Sequence, residues 1–73
     1  MRTTRGIYQT VGDAVHSERK KARLSQEQLA EKADFTRNYI GQIERAEKKV
    51  TLDGLAKIAK ALKVRVRDLV RDV

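Results

Sequence analysis

Apolar residues recur at helical spacing on both sides of a short break in residues 25–45. Three lie before the break and two after it, and each group falls on one face of a helix. They are Leu29, Ala30, Ala33, Ile40 and Ile43. A single continuous helix would not need the intervening Asp34 and Phe35. The pattern therefore predicts two short helices joined by a tight turn, over about 26–45.

The second of these helices carries polar side chains on the face that its apolar residues leave free: Arg37, Asn38 and Gln42. Arginine can donate two hydrogen bonds to guanine, and the amides of Asn and Gln match adenine. Asn38 and Gln42 are four residues apart and share a face, whereas Arg37 lies about 100° from Asn38 around the helix. This arrangement predicts a helix that reads base edges in the major groove of DNA. The alternative is a polar face that only meets water.

The same periodicity continues on either side of this segment. A helix over about 11–22 is expected after a Thr10 cap, and residues 1–9 are expected to form a flexible N-terminal arm. Thr51 is a suitable cap for a fourth helix, and a short fifth helix is expected over about 66–71. The apolar stripe expected to be buried in the fourth helix comprises Leu52, Leu55, Ile58, Ala59 and Leu62.

The composition of the 73 residues limits the classes of function. Without cysteine the chain can form neither disulfides nor a cysteine-ligated metal site, and a single histidine excludes a multi-histidine cluster. No acid–base or nucleophile constellation stands out, so we expect no enzyme activity, cofactor or metal. No apolar run approaches the roughly 20 residues that a membrane span needs, so a cytoplasmic location is expected. The net charge of +7 favours a polyanionic partner, nucleic acid above all, although ordinary solvation is the alternative.

Three phrases of the chain, SQEQLA, YIGQIER and LAKIAKAL, together resemble the phage repressor/Cro-like (Xre-type) helix-turn-helix family. The resemblance covers about residues 11–69 and is strongest to the small controller proteins of restriction–modification systems. The positions that carry it include Gln26, Ala30, Asp34, Ile40, Ile43 and Glu44. It implies an all-α, five-helix lambda-repressor-like domain over 10–73. It also implies a left-handed backbone, for which the family uses glycine, at Arg23, Asp34 and Ala46.

The resemblance also implies roles for single residues. Arg19 and Glu44 are expected to form a partly buried ion pair that ties the first helix to the third. DNA phosphates are expected to meet side chains around both ends of the reading helix. These are Gln26, Thr36, Tyr39, Arg45, Lys48 and Lys49. The alternatives are solvated polar residues, and for Tyr39 a ring that covers the turn.

Apolar residues near the end of the sequence exceed what one small core is expected to absorb. They are Val64, Val66, Leu69 and Val70. We expect them to form a two-fold dimer contact, unless they only close the core. A dimer would place two reading helices one DNA turn apart, about 34 Å, on a partly palindromic operator. The function predicted is a homodimeric transcriptional regulator of double-stranded DNA. The rivals are an antitoxin or adaptor that binds another protein, and a nucleic-acid binder without sequence preference.

Overall fold

The computed structural model describes the backbone of residues 4–73 and the side chains of residues 6–73. Over that range the chain forms five helices, and the predicted all-α architecture is confirmed. They are α1 (Thr4–Lys21), α2 (Gln26–Ala33), α3 (Arg37–Glu44), α4 (Leu52–Leu62) and α5 (Val66–Val70). α2 packs on α3 and α4, α1 packs on α3, and α5 closes the other side against α1 and α4.

The first helix begins earlier than the sequence pattern predicted. Because α1 starts at Thr4, the prediction of a flexible arm is wrong for residues 4–9, and residues 1–3 lie outside the described part of the chain. Thr10 does not cap the helix, since its hydroxyl donates to the Gly6 carbonyl one turn earlier, at 2.9 Å. Extending an existing helix costs far less than starting one, which explains why a weak helical sequence continues the helix.

The caps of the next three helices are those predicted. The Ser25 hydroxyl accepts from the Gln28 N–H at 3.0 Å, while the Gln28 side chain accepts from the Ser25 N–H at 2.8 Å. The hydroxyls of Thr36 and Thr51 each accept from the N–H three residues on, at 3.1 and 3.0 Å. These bonds satisfy backbone donors that have no partner inside the helix, so they place the starts of α2, α3 and α4 accurately.

Among residues 4–73, four non-glycine residues adopt the left-handed backbone conformation where helices end. Arg23, Asp34 and Ala46 were predicted to do so, and their φ angles are 59°, 61° and 60°. Lys63 at the end of α4, with a φ of 61°, was not foreseen. Each of these conformations costs about 1–2 kcal/mol for a residue with a Cβ atom. The surrounding helix packing must therefore offset this strain.

The core lies where the five helices meet. The largest fully buried side chains are Val15, Leu29, Ile40, Ile43, Ile58 and Leu69. Two predictions about apolar residues are wrong here. Leu52 is 75% exposed, because it lies in the first turn of α4 where no other helix covers it. Leu69 is only 1% exposed, so it belongs to the core of one chain and has no surface to offer a dimer partner.

At Gly12 the backbone of α1 lies very close to the backbone at the end of α3. A Cβ atom added there would lie 2.5 Å from the Ile43 carbonyl oxygen and 2.8 Å from that of Glu44. Both contacts are with backbone, which cannot move aside as a flexible side chain can. The absence of a side chain at Gly12 therefore fixes how near the end of α3 lies to α1.

We predict that Gly12→Ala destabilises the fold, because the two helices must separate to admit a methyl group. Overpacking of this kind costs about 1–3 kcal/mol, which urea denaturation followed by circular dichroism would measure. Gly41→Ala is the matched control, since a Cβ atom there would meet only the end of the Arg45 side chain. It should be neutral, or stabilising by up to about 1 kcal/mol through helix propensity. Equal losses for the two variants would contradict the prediction.

Candidate nucleic-acid interface

The outward face of α3 carries the predicted base-reading residues. Arg37 and Asn38 are exposed, and Gln42 one turn later is partly exposed. The inward face of the same helix is anchored by Ile40 and Ile43, both essentially inaccessible to solvent. The structure therefore separates the two faces of α3 as the sequence pattern required, and leaves the polar face open to a partner.

The Glu44 carboxylate has several side-chain partners, and the predicted partner Arg19 is one of them. Arg19 Nε donates to Glu44 Oε2 at 2.7 Å, and Arg19 Nη2 donates to Oε1 at 3.1 Å. Arg19 Nη1 also donates to the Leu24 carbonyl at 2.8 Å. Both side chains are buried, so this pair of hydrogen bonds joins α1 to α3 with little exposure to solvent.

Two further donors on Glu44 were missed by sequence reasoning. Gln26 Nε2 donates to Glu44 Oε1 at 3.1 Å, and His16 Nδ1 lies 2.9 Å from the same oxygen. A proton on Nδ1 makes this second contact a hydrogen bond, and the 3.3 Å contact of Nδ1 with Arg19 Nη2 then joins two donors. His16 lies three residues before Arg19 on α1, a helical spacing that puts both on one face. That spacing was the one signal in the sequence that pointed to it.

The charge state of Glu44 follows from these contacts. Burial alone would raise the pKa of the Glu44 carboxyl, but the hydrogen bonds from Arg19, His16 and Gln26 outweigh that effect, and the pKa is lowered. The carboxylate is therefore negative at neutral pH. It joins α1, α2 and α3 as one charged acceptor shared by three helices.

Gln26 thus has a protein partner where a phosphate contact was predicted. Its side chain is partly buried, and it lines a shallow basic depression at the start of α2. Lys20, Arg23 and Arg37 line the same depression. The arrangement orients the Gln26 amide and surrounds it with positive charge, which is the environment that an anionic phosphate needs.

The two residues predicted to contact phosphate at the start of α3 have structural roles. The Thr36 hydroxyl caps α3. The Tyr39 ring packs against Phe35, with ring centroids 4.7 Å apart, and Lys57 Nζ lies 5.5 Å from the centre of the Phe35 ring. Tyr39 is half-buried and covers the turn, the alternative that the sequence left open.

The loop after α3 holds three of the predicted phosphate-contacting cations. Arg45, Lys48 and Lys49 are all exposed. Arg45 already has a partner, because its guanidinium donates to both carboxylate oxygens of Glu47, at 2.8 and 3.2 Å. Lys48 and Lys49 follow directly and extend the positive charge beyond the end of α3.

The described part of the chain contains neither a candidate metal site nor a candidate membrane-spanning helix. No group of three His, Cys, Asp or Glu side chains among those residues is placed to hold a metal ion. Within the same residues, no helix combines the length and apolar character that crossing a bilayer requires.

Comparison with known proteins agrees with the arrangement of α2 and α3. A family model described as helix-turn-helix matches residues 15–69, which is more than half of the chain. The chain belongs to this helix-turn-helix family. The matched residues include α2, α3 and α4 in full, together with Glu44 and its partners His16, Arg19 and Gln26.

Within the helix-turn-helix family, this chain is 49% identical over 49 residues to the control protein C.BamHI of Bacillus amyloliquefaciens. That match covers 67% of this chain and only 60% of C.BamHI. The solved restriction-modification controller protein C.AhdI of Aeromonas hydrophila is 34% identical, with a TM-score of 0.83, and the match covers 85% of this chain and 94% of that one.

A second solved structure is the P22 c2 repressor protein in complex with a synthetic operator. It is 25% identical, with a TM-score of 0.78, and the match covers 86% of this chain and 96% of that one. These similarities confirm the lambda-repressor-like fold of this helix-turn-helix domain and its membership of a family of transcriptional regulators.

The four apolar residues predicted to form the dimer contact differ in how deeply they are buried. Val64, Val66 and Val70 are half-buried and pack against the edge of the core, whereas Leu69 is inside it. The three valines lie in α5 and in the segment that leads into it. Each of the three valines keeps part of its side chain exposed.

We predict that Glu44→Gln strongly destabilises the domain, because it leaves the buried Arg19 guanidinium without an opposite charge. Breaking a buried ion pair costs roughly 3–5 kcal/mol, measured as the free energy of unfolding in urea at pH 7. His16→Gln, which changes a half-exposed donor, should cost much less. A loss below about 1 kcal/mol for Glu44→Gln, within the range of an exposed pair, would contradict this account.

The lowered pKa of Glu44 adds a pH signature to the same experiment. Its stabilisation is complete above the ordinary glutamate pKa of about 4.3, and is lost as the pH falls through the lower pKa of the folded state. The wild-type protein should therefore lose more stability on acidification than Glu44→Gln does. Equal acid dependence of the two proteins would show that Glu44 titrates normally in the folded domain.

Proposed function

We propose that the chain is a sequence-specific DNA-binding transcriptional regulator that acts as a homodimer, and not an enzyme. The observation that carries the proposal is the exposed polar face of α3, which rests on an inaccessible apolar face of the same helix. The P22 c2 repressor protein, which shares this fold, was solved with a synthetic operator. Because the proposed partner is chromosomal DNA, a cytoplasmic location is also part of the proposal.

In this proposal the exposed face of α3 enters the major groove. Asn38 and Gln42 share one face and offer amides that match adenine, while Arg37 reaches a neighbouring guanine or a phosphate. Each two-bond contact with a base contributes about 1–3 kcal/mol of discrimination. The buried Ile40 and Ile43 support this role because they fix the rotation of α3 about its own axis.

Phosphate contacts on both sides of the groove would set the position of α3. Gln26 and the basic depression around it serve one strand, and Arg45, Lys48 and Lys49 serve the backbone beyond the end of α3. Contacts of this type orient a protein on the duplex without reading sequence. Thr36 and Tyr39 contribute less in this proposal, because cap formation and ring packing already engage them.

The proposed dimer uses the half-buried valines Val64, Val66 and Val70. A two-fold contact there would bury an apolar edge and set the spacing of two α3 helices on a partly palindromic operator. The proteins similar to this chain include the control protein C.BamHI and the restriction-modification controller protein C.AhdI. We therefore propose regulation of such a system as its specific role.

We predict that Asn38→Ala relaxes sequence preference, whereas Lys49→Ala weakens binding to all duplexes alike. A preferred site is first selected from random duplexes, and fluorescence anisotropy then measures affinity for that site and for a shuffled duplex. Asn38→Ala should lower the affinity for the preferred site by about 1–3 kcal/mol and leave the shuffled duplex nearly unchanged. Lys49→Ala should reduce the slope of log affinity against log salt by about 1 on both duplexes.

Equal losses on both duplexes for Asn38→Ala would point instead to a nucleic-acid binder without sequence preference. Failure to select any preferred site would reject sequence-specific recognition. Neither result would call the fold into question, because both variants change exposed side chains. Circular dichroism should show that their helix content is unchanged.

We predict that Val66→Asp converts the protein from dimer to monomer, since it places a charge in the proposed apolar contact. Analytical ultracentrifugation would measure the oligomeric state, and circular dichroism would check folding. Leu52→Asp is the control, because Leu52 is an exposed apolar residue in the first turn of α4, at the opposite end of that helix from α5. A wild-type protein that stays monomeric, and assembles only with a different protein, would favour the antitoxin or adaptor function instead.

A further inference from the structure

Arg45 and Glu47 form a closed pair at the end of α3, although only one residue separates them. Arg45 Nε donates to Glu47 Oε2 at 2.8 Å, and Nη2 donates to Oε1 at 3.2 Å. The intervening Ala46 has the left-handed φ of 60°, which reverses the chain direction after α3. That reversal brings the Glu47 carboxylate opposite the guanidinium, so both of its oxygens are engaged.

The guanidinium of this pair lies on the surface of α3 over Gly41. A Cβ atom at Gly41 would be 2.9 Å from Arg45 Nη1, so the guanidinium occupies the space that the missing side chain leaves. Gly41 is buried for this reason, although it lies between the exposed Arg37 and Arg45 along one stripe of α3.

The Arg45–Glu47 pair combines good hydrogen-bond geometry with side chains that are about half exposed. The hydrogen bond from Arg45 lowers the pKa of the Glu47 carboxyl, and the same bond raises the pKa of Arg45. Both side chains are about half accessible to solvent, at 54% and 52%. Exposed pairs of this kind are weak and are screened by salt, so another anion can displace the carboxylate.

A DNA phosphate presents the same chemistry to Arg45 as Glu47 does. Carboxylate and phosphate each offer two oxygens that match the fork of a guanidinium. Glu47 is also the only acidic residue of the loop segment 45–51, which otherwise carries three cations. A phosphate that took the two-bond contact with Arg45 Nε and Nη2 would have to replace Glu47 there, and the duplex would meet the negative charge of the released carboxylate.

We propose that Glu47 is an internal competitor for Arg45, which holds the guanidinium over Gly41 and thereby lowers the affinity of the domain for DNA. This inference rests on the proposed function. The competition is local and reversible, because the pair is exposed and its geometry depends on a short loop. Glu47 acts through Arg45 and does not itself bind the duplex, so it tunes affinity without contributing to sequence reading.

The test is a double-mutant cycle with a duplex of mixed sequence, which does not require that a preferred site be known. Glu47→Gln should raise affinity roughly 3- to 8-fold at 0.1 M salt, the effect expected for about one additional phosphate contact. In an Arg45→Gln background the same change should raise affinity less than about two-fold, because no guanidinium remains to be released. The salt slope should steepen by up to about 1 only when Arg45 is present.

Asp72→Asn is the matched control for loss of one negative charge. Asp72 is exposed and lies in a depression between α1 and α5, away from the loop after α3. It should change affinity much less than Glu47→Gln does. An equal gain from Glu47→Gln with and without Arg45 would show a simple charge effect and overturn the proposal. Unchanged or weaker binding by Glu47→Gln would overturn it too.

A measurement on the free protein separates this proposal from the proposed function. Carbon NMR should show a low pKa for the Glu47 carboxyl that returns to the ordinary range in Arg45→Gln. If the pair is present but the protein binds no duplex, both proposals fail. If the duplex binds and Asn38→Ala relaxes sequence preference, while the cycle shows no coupling, only the competitor role of Glu47 fails.

Discussion

The buried carboxylate of Glu44 is the interaction on which the rest of the domain depends. It accepts hydrogen bonds from Arg19 and His16 on α1 and from Gln26 on α2, while it belongs itself to α3. A single charged acceptor therefore sets the distances among the three helices around the helix-turn-helix. Since removing any buried charge from its partners is costly, these helices are held in one arrangement rather than in a range of packings.

That constraint bears directly on how DNA would be bound. Glu44, the last residue of α3, is held inside the domain by its hydrogen bonds with Arg19, and the first turn of α3 is held by the Thr36 cap. Between these two points, Ile40 and Ile43 hold one face of the helix in the core. The exposed face is consequently presented on a rigid support. Rigidity of this kind favours selective recognition, because little ordering entropy has to be lost when the duplex binds.

Local rules account for most of what could be predicted, and tertiary packing explains the errors. The caps at Ser25, Thr36 and Thr51 were predictable because a hydroxyl bonds to an N–H only three residues away. Leu52 was predicted to be buried and Leu69 to lie at a dimer contact, and both predictions were wrong. Both residues have helical spacing, which alone does not show which side chains are covered. Which of two apolar residues is covered depends on where the neighbouring helices end, and periodicity does not contain that information.

The sequence by itself determined the five-helix architecture, the helix-turn-helix and the polar face of α3, since hydrophobic period and short-range hydrogen bonds specify each of them. Only the tertiary structure decided which side chains share Glu44, that Arg45 lies over Gly41, and that α1 extends back to Thr4. These features depend on distances between elements that are far apart in the chain, or on the space that a turn leaves open. No local pattern of residues specifies such distances.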